Sequence, residues 1–411
     1  MQADLNHGLK QLNLFGFEPL VQIQGPNAVD TWDDMDMYLT VRKSLSELGT
    51  MEDIILHGTA QAFGAEVALL MSETSDIWAD YANPTELIGR TGTAGTAQRA
   101  LYIALRHLQQ PVDVIIEEDC EDPSVLANYS SVFISDPNLK ESAARGLGSW
   151  VEGSPKRTVW ASAGGMLDEL NATNAAMLEL FGLASFTLKN HTNMVQFVKQ
   201  DLAFTPVLDQ VTLASGTADP TFGVYGTRAS LALNASAGGS SKVLATFSDS
   251  SPAVIEREVG QGRAILCAFH PSLSYFHPAT PPLPTARGAT DESFNHMCPR
   301  DFDSAAKKVV AMGLSPLLDP PPTLASAPGH HEKMGGLIET GVVAAPGKGT
   351  VIPIVDWSGE KATRDLEVKL TRPIAFATAE LASGGAVQVA ADKRSLLVPE
   401  FVIADAIILR P

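Results

Sequence analysis

Short runs rich in apolar residues occur between residues 66 and 276, separated by longer amphipathic segments. The runs lie at 67–71, 112–116, 132–134, 158–161 and 264–269. A strand that is buried on both faces has this composition, because it lacks the alternation of polar and apolar residues that a half-exposed strand shows. The runs therefore predict the strands of a buried parallel sheet.

The segments between these runs predict helices at 96–108, 139–151 and 167–181. In the first, apolar residues such as Leu101 and Leu105 recur at the spacing of one buried helix face. Gly182 is a suitable C′ glycine for the third. Because parallel strands need crossover connections, this alternation predicts an α/β domain with helices on both faces of a flavodoxin-like parallel sheet.

The stretch 243–276 closes this predicted domain, which spans 61–277. Two β-rich runs flank the turn at 260–262, whose sequence GQG suits a tight hairpin. The second run stops at His270, and ligands of open α/β sheets bind just outside the carboxyl ends of such strands. We therefore expect His270 at a position where chemistry can occur. Residues 183–241 are β-rich and polar, and they are interpreted as an insertion.

The first 60 residues lack the elements of a complete domain. They hold a short strand-like run and a helix predicted from about Asp33 to Leu48, with Gly49 as its stop. One strand and one or two helices cannot close a core. Residues 1–60 are therefore interpreted as the remnant of a larger structure or as a flap on the next domain.

The last third of the chain contains a proline-rich segment followed by a segment rich in β-type runs. Residues 278–334 are rich in proline and predict a surface linker with one short helix near Ser304–Met312. From residue 335 to 411, short β-type runs recur with turn residues between them. This spacing predicts a small antiparallel β-sandwich.

The excess of acidic over basic residues limits the classes of molecule that the chain is expected to bind. Acidic residues outnumber basic ones by 47 to 29, which gives a net charge of -18. Nucleic acids and anionic membranes both require clustered Lys and Arg. No apolar run approaches the roughly 20 residues of a membrane span. We therefore expect neither a nucleic acid nor a membrane as a partner.

The spacing of the cysteines indicates the redox state of the cellular compartment in which the protein is expected. Cys120, Cys267 and Cys298 are scattered and show no Cys-x-x-Cys pairing. Their simplest interpretation is free thiols in a reducing compartment. The amino terminus has no basic region followed by an apolar core, as an export signal would have. These features predict a cytoplasmic protein.

Polar residues follow each predicted strand of the α/β domain, and such convergence is required of a ligand site in this fold. They are Ser72, Glu73, Ser75, Asp76, Glu117, Glu118, Asp119, Asp136, Ser162 and His270. Loops are polar in any case, so the convergence is also what an ordinary set of strand ends would show. Ser72 and Asp76 are the candidates for substrate binding.

The turn at 162–165 suggests a nucleophile elbow, since Ser162 falls between a strand and a helix. With His270 as base and Asp136 or Glu118 to orient the imidazole, it would form a Ser-His catalytic group. The glycine expected before the nucleophile is replaced by Ala161, which favours a turn without catalysis.

Carboxylates offer a second chemistry, because glycoside hydrolysis needs two carboxyl groups about 5–10 Å apart. Asp76, Glu117, Glu118 and Asp136 are numerous enough, but in so acidic a chain their presence discriminates little.

Neither a metal nor a cofactor is expected. The adjacent His330 and His331, beside a proline-rich stretch, are interpreted as part of a solvated loop. Glycines at 89, 92 and 95 precede a helix, but they lie too far beyond the strand ending at Met71 for a dinucleotide-binding loop.

Several stretches resemble the β-galactosidases of glycoside hydrolase family 42. EVALLMSETSDIW (66–78), SSVFISDPNLKESAARGLGSWVEGS (130–154) and TVWASAGGMLDELNATNAAMLELFGL (158–183) are similar to the family's trimerisation domain. HGLKQLNLFGFEP (7–19) looks like the last strand of its catalytic barrel. LIETGVVAAPGKGTVIPIVDWSG (337–359) is similar to its carboxyl-terminal β domain.

The resemblance implies a fold similar to class I glutamine amidotransferases for the α/β domain. Phe269-His270-Pro271 looks like the amidotransferase histidine motif, but Ser162 and Ala163 stand where the elbow cysteine would be. A catalytic (β/α)8 barrel takes about 250 residues, and almost none of it is present here. The family's catalytic glutamates therefore have no counterpart in this sequence.

Three functions follow as hypotheses. The first is the carboxyl-terminal portion of a β-galactosidase-like enzyme, acting in oligomerisation, as a trimer or dimer, and in shaping a carbohydrate site. The second is a stand-alone glycosidase or other hydrolase that works around Ser162, His270 and nearby carboxylates. The third is a sugar-binding module without turnover.

Overall fold

The computed structural model describes residues 4–5, 8–10, 35–60, 62–82, 93–191, 206–214, 220–234, 241–279, 302–327, 337–358 and 362–411. These residues fall into two compact units. The described residues from Ala65 to Asp319 form one, here called the α/β unit. Those up to Gly64 and from Pro320 onward form the other, the β unit.

The helices of the described residues are α1 (Met35–His57), α2 (Glu73–Ala82), α3 (Thr93–His107), α4 (Pro123–Leu126), α5 (Glu141–Glu152), α6 (Ala175–Phe181), α7 (Pro271–Phe276) and α8 (Ser304–Ala311). No helix in these parts of the chain is both long and apolar enough to cross a bilayer.

The first strands are β1 (Thr59–Ala60), β2 (Val67–Met71), β3 (Val112–Ile116), β4 (Ser131–Ile134), β5 (Thr158–Ser162), β6 (Leu183–His191), β7 (Asp209–Leu213), β8 (Thr221–Val224), β9 (Thr227–Leu233), β10 (Lys242–Phe247), β11 (Pro252–Val259) and β12 (Gly262–Cys267). They are followed by β13 (Thr323–Ser326), β14 (Ile338–Thr340), β15 (Val343–Ala345), β16 (Gly349–Asp356), β17 (Thr363–Leu370), β18 (Thr378–Leu381), β19 (Gln388–Val389), β20 (Ser395–Phe401) and β21 (Ala404–Arg410).

A mixed sheet forms the centre of the α/β unit. Its nine described strands run in the order β3-β2-β4-β5-β12-β11-β10-β7-β8. The first five are parallel and the others antiparallel. This confirms an α/β fold and all five predicted strand positions. The predicted hairpin at 260–262 joins β11 to β12.

The region 183–241 is β-rich in its described parts, as expected. Part of it belongs to the core sheet of the domain, because β7 and β8 extend the central sheet. Strands β6 and β9 form a separate two-stranded ribbon.

The helix predicted over 167–181 is shorter in the structure and begins at Ala175. Asn174 caps it, since its side chain accepts a hydrogen bond from the Met177 amide. Leu167 instead lies in isolated β-bridges to Asn138 and Thr173. Gly182 ends the helix in the left-handed conformation, with φ of 66°, as predicted.

The described part of the expected proline-rich linker contains core structure. Helix α8 confirms the predicted short helix, but it buries Ala306, Val309 and Val310 in the core of the α/β unit. Strand β13 pairs with β17 in the β unit. The surface-linker interpretation therefore fails for these two segments, because their apolar residues have partners in the two cores.

The β unit contains two antiparallel sheets, as predicted. One has the order β1-β15-β16-β21-β18 with β14 beside β16, and the other has the order β13-β17-β20-β19. Side chains of both form one apolar cluster, which includes Ile352 and Ile407 from the first and Val368 and Val398 from the second. This is the two-layer packing of a sandwich.

Helix α1 is longer than predicted and continues through Gly49 to His57. A single glycine inside a helix costs only about 1 kcal/mol. Beyond it, Met51 and Ile54 are buried against Val351 and Ile408 of the β unit, and this packing outweighs that cost. The strand-like run at 12–17 lies outside the described residues.

Gly146 and Gly148 of α5 provide a matched pair of test sites. A Cβ at Gly146 would lie 2.0 Å from the carbonyl oxygen of Cys120, whereas one at Gly148 would meet no atom within 4 Å. We expect Gly146→Ala to lower the free energy of unfolding by about 1–3 kcal/mol, because the backbone must shift. Gly148→Ala should raise it by up to about 1 kcal/mol, because alanine favours the helix. Equal melting temperatures for the two variants would contradict this packing of α5.

Candidate functional site

Four neighbouring parallel strands deliver the candidate residues to one edge of the sheet. Ser72 follows β2, Asp136 follows β4, Ser162 ends β5 and His270 follows β12. The strand order reverses at β2, which has β3 on one side and β4 on the other. The crevice of an open α/β sheet lies at such a switch point, outside the carboxyl ends of the strands.

Ser162 and His270 are brought together, as hypothesised from the sequence. Residues Cys267 and Ser162 are partners in the parallel register of β12 and β5, and the chain reaches His270 three residues later. Ser162 Oγ and His270 Nδ1 lie 3.3 Å apart, within hydrogen-bonding distance. Both side chains are buried.

Burial controls the charge of His270. Removal of the ring from water, with a smaller contribution from the nearby His191, lowers the pKa of His270 to about 3. The imidazole is therefore neutral at physiological pH. One of its nitrogens carries a hydrogen and the other accepts, and the contact with Ser162 selects between the two tautomers.

The backbone bends at Ala163 rather than at Ser162. Ala163 has φ of 50°, an uncommon conformation for a residue other than glycine, and Gly165 has φ of 69°. The residue at the tip of this turn therefore carries only a methyl group. Ser162 instead holds His270 through Nδ1, which is the nitrogen that the orienting group contacts in a Ser-His-Asp triad. This geometry makes Ser162 a positioning partner of the imidazole.

Asp136 and Ser72 support the backbone at the switch point. Asp136 is buried, and its carboxylate accepts hydrogen bonds from the Ser72 amide at 2.8 Å and from the Gln98 side chain at 3.1 Å. Ser72 Oγ accepts a hydrogen bond from the Ser75 amide at the start of α2. Ser72 is itself fully buried, so it shapes the site without offering its hydroxyl to the surface.

Glu118 lies elsewhere. It follows β3, four strand spacings or about 19 Å from β12. Its exposed carboxylate pairs with Lys140, and that hydrogen bond lowers the pKa of Glu118. The structure therefore does not bring Glu118 to His270 as an orienting group.

Glu117, one residue earlier, is fully buried and ties two helices to the sheet edge. It accepts hydrogen bonds from the backbone amide and hydroxyl of Thr74, at 3.1 and 2.8 Å, and from the Lys140 amide at 2.8 Å. The sequence offered Glu117 only as one of several carboxylates. Its partners come from segments far apart in the chain, so no local signal reveals this role.

A cleft of about 460 Å³ opens at the switch point. Its lining combines aromatic, carboxylate and amide side chains, including Asp76, Trp78, Tyr81, Asn138 and Asn171. The rings of Trp78 and Tyr81 meet edge to face at 5.8 Å. We call this the switch-point cleft. Asp76 was singled out from the sequence, whereas the aromatic and amide residues were not, because they lie inside a helix and in loops.

A second cavity of about 260 Å³ adjoins it, since both share Ala94, Pro137 and Leu167. We call it the histidine pocket. Its other lining residues are Thr93, Ser135, Ala163, Met166, Thr173, Phe186, Leu188, His191, Thr227 and His270.

No group of three or more His, Cys, Asp or Glu side chains able to hold a metal ion occurs in the described residues. The sequence pair His330 and His331 lies outside them.

Gan42B, a family 42 β-galactosidase from G. stearothermophilus, superposes on 92% of this chain with a TM-score of 0.53 and 16% identity. The cold-adapted β-galactosidase of Rahnella sp. R3 gives 90%, 0.53 and 16%. In fold, this chain is similar to part of the family 42 β-galactosidases. The resemblance found in the sequence is thus confirmed in structure.

The matching region is less than half of those enzymes, as 44% of each is covered. The α-L-fucosidase isoenzyme 2 of Paenibacillus thiaminolyticus also matches, with a TM-score of 0.51, 15% identity, and coverage of 92% of this chain and 53% of the fucosidase. No protein-family model and no curated protein matches the sequence. At such low identity the likeness establishes the fold.

The neutral state of His270 leads to a prediction about acid stability. The ordinary pKa of histidine is 6.5, against about 3 for His270 in the folded chain. Between these values the unfolded chain binds a proton that the folded chain does not, so stability is lost as the pH falls through this window. We expect His270→Gln to flatten the dependence of the unfolding free energy on pH between 7 and 4, measured by urea denaturation.

Ser162→Ala serves as the control, because it keeps the imidazole buried and should keep the slope. A slope that is the same in His270→Gln and in the natural chain would show that His270 is not held neutral.

Proposed function

We propose that this chain is the carboxyl-terminal portion of a β-galactosidase-like glycoside hydrolase, acting in oligomerisation and in shaping a carbohydrate site. The observation that carries the proposal is the fold match over about nine-tenths of the chain and 44% of the β-galactosidases. The described residues form two units, neither of them a (β/α)8 barrel. On this proposal the catalytic glutamates belong to a part that this chain does not supply.

The proposal includes an amidotransferase-like, flavodoxin-like identity for the α/β unit. Numbered along the chain, its five parallel strands lie in the order 2-1-3-4-5. That order is the one of the flavodoxin-like doubly wound sheets. The histidine after the last parallel strand and the sharp turn at Ala163 support the same assignment.

The edge strand β3 supports the oligomerisation role. It ends the sheet, and Val114 and Ile116 on one of its faces are 51% and 49% exposed. Ile77 and Tyr81 of α2, the helix that follows the neighbouring strand β2, are also largely exposed. An apolar sheet edge is a liability in a monomer and is commonly covered by another chain. We propose that a second copy of this chain covers it.

This assignment predicts a change in assembly. The natural chain should be a trimer or dimer at micromolar concentration, and the double variant Val114→Lys with Ile116→Lys should be a monomer, because it places two charges in the interface. Light scattering measures both. Val402→Lys, at an exposed apolar residue of the β unit, is the control and should leave the oligomer intact. A monomeric natural chain would rule out the oligomerisation role.

The switch-point cleft supports the carbohydrate role. Sugars present both hydroxyl groups and apolar C–H faces, and the cleft pairs aromatic rings with carboxylate and amide groups. Asp76, Trp78 and Asn138 would provide these contacts. A sugar-binding module without turnover is the version of this proposal in which the chain acts alone.

A stand-alone hydrolase is the second candidate, because Ser162 and His270 are hydrogen-bonded at 3.3 Å. Against it, Ser162 is fully buried and contacts the nitrogen that an orienting group would use. We expect the purified chain to release no nitrophenol from a panel of nitrophenyl glycosides and esters. Turnover that disappears in both His270→Ala and Ser162→Ala would instead favour the hydrolase.

A cytoplasmic location is also part of the proposal. Cys120 and Cys267 are free and buried thiols, and burial raises the pKa of both. Thiols of this kind are expected to be inert and to persist reduced.

A further inference from the structure

A buried hydroxyl group without a partner lies on the wall of the histidine pocket. Ser135 directly follows β4 and is fully buried. Its Oγ has no hydrogen-bond partner among the described residues. A buried hydroxyl that has lost its contact with water and gained no partner destabilises the folded chain. Because Ser135 lines the pocket, a molecule bound there would supply the missing hydrogen bond.

His270 brings a second polar group to the same pocket. Its Nδ1 is engaged by Ser162 at 3.3 Å, and no hydrogen bond to Nε2 is present in the described parts of the chain. Since the ring lines the pocket and is neutral, it presents a single donor or acceptor and no charge. Ser135 and His270 together therefore favour a neutral ligand with hydroxyl groups.

The remaining lining limits the ligand further. No Asp, Glu, Lys or Arg occurs among the described lining residues, so a charged ligand would find no permanently charged side chain there. Met166, Phe186 and Leu188 add apolar surface. With a volume of about 260 Å³, the pocket falls below the roughly 300–1,000 Å³ of sites for drug-sized ligands. A ligand of one ring fits these limits.

We propose that the histidine pocket binds one neutral sugar unit. Ser135 Oγ and His270 Nε2 bond to its hydroxyl groups, while Met166, Phe186 and Leu188 pack against its C–H face. The choice of a sugar rests on the proposed function, whereas the demand for a small, neutral and hydroxylated ligand rests on the pocket. This subsite adjoins the switch-point cleft but differs from it in its lining, because only the cleft has carboxylates among its described lining residues.

Isothermal titration calorimetry of the full chain tests the proposal with D-galactose, L-fucose and D-galacturonate. At least one neutral sugar should bind, and galacturonate should bind at least about tenfold more weakly because its carboxylate would be buried unpaired. Ser135→Ala should weaken the neutral sugar by about tenfold, the loss of one hydrogen bond. Its melting temperature should not fall, because the hydroxyl that it removes has no partner in the described parts of the chain.

Ser274→Ala is the matched control. Ser274 is also buried with an unpaired hydroxyl, but it lies in α7 and does not line the pocket. Its substitution should leave the affinity unchanged. Trp78→Ala, in the switch-point cleft, should likewise retain binding of the single sugar.

Three results would overturn the proposal. They are the absence of binding by both neutral sugars, equal affinity for galacturonate, and affinity that is lost in Trp78→Ala but retained in Ser135→Ala. In the first case the pocket would hold water instead. Light scattering on the same samples keeps the two proposals apart. An oligomer that binds no sugar overturns this inference alone, whereas a monomer that binds sugar through Ser135 overturns only the assembly role.

Discussion

The α/β unit depends on β12, the strand where its sheet changes from parallel to antiparallel. This strand pairs in parallel with β5 and antiparallel with β11. Its start is so closely packed that a Cβ at Gly262 would lie 2.3 Å from the carbonyl oxygen of Val151. With this end fixed, the register with β5 determines where the strand stops. The position of His270 beside Ser162 is thus a consequence of sheet geometry.

Buried polar groups at the strand ends have mostly structural partners. Glu117 and Asp136 accept hydrogen bonds from backbone amides of loops and helix starts. Charge-assisted bonds of this kind are among the stronger ones in proteins. These bonds hold loops and helix starts at the edge of the sheet. They also occupy carboxylates that would otherwise be candidates for chemistry. Ser135 and His270 differ because both line the histidine pocket and the hydroxyl group of Ser135 has no hydrogen-bond partner among the described residues.

Much of this arrangement was predictable from the sequence, for a physical reason. Strands buried on both faces form continuous apolar runs, so 67–71 and 158–161 were found with nearly correct bounds. The ends of helices were harder to predict from the sequence, because tertiary contacts determine where a helix begins and ends. The cap at Asn174 makes α6 begin eight residues after its predicted start. The burial of Met51 and Ile54 stabilises α1 beyond Gly49, where the sequence predicts its end.

The candidate site was predicted in part. His270 could be found because strand ends of parallel sheets converge, and its contact with Ser162 followed. Glu118 could not be rejected, since the sequence does not give the strand order that separates β3 from β12. No sequence pattern indicates Ser135 or Trp78 as site residues, because the cavities that they line are formed by segments far apart in the chain.

The packing of α1 on strands β16 and β21 within the β unit has a consequence for the folding of the chain during its synthesis. Met51 and Ile54 pack against residues of β16 and β21, which are roughly 300 and 350 positions further along the chain, respectively. At roughly 5–20 residues per second, the ribosome needs at least about 15 s to produce those partners. The whole α/β unit is synthesised in this interval and can fold as it emerges. During that time the apolar face of α1 lacks its final cover, and this face is where a chaperone would be expected to act.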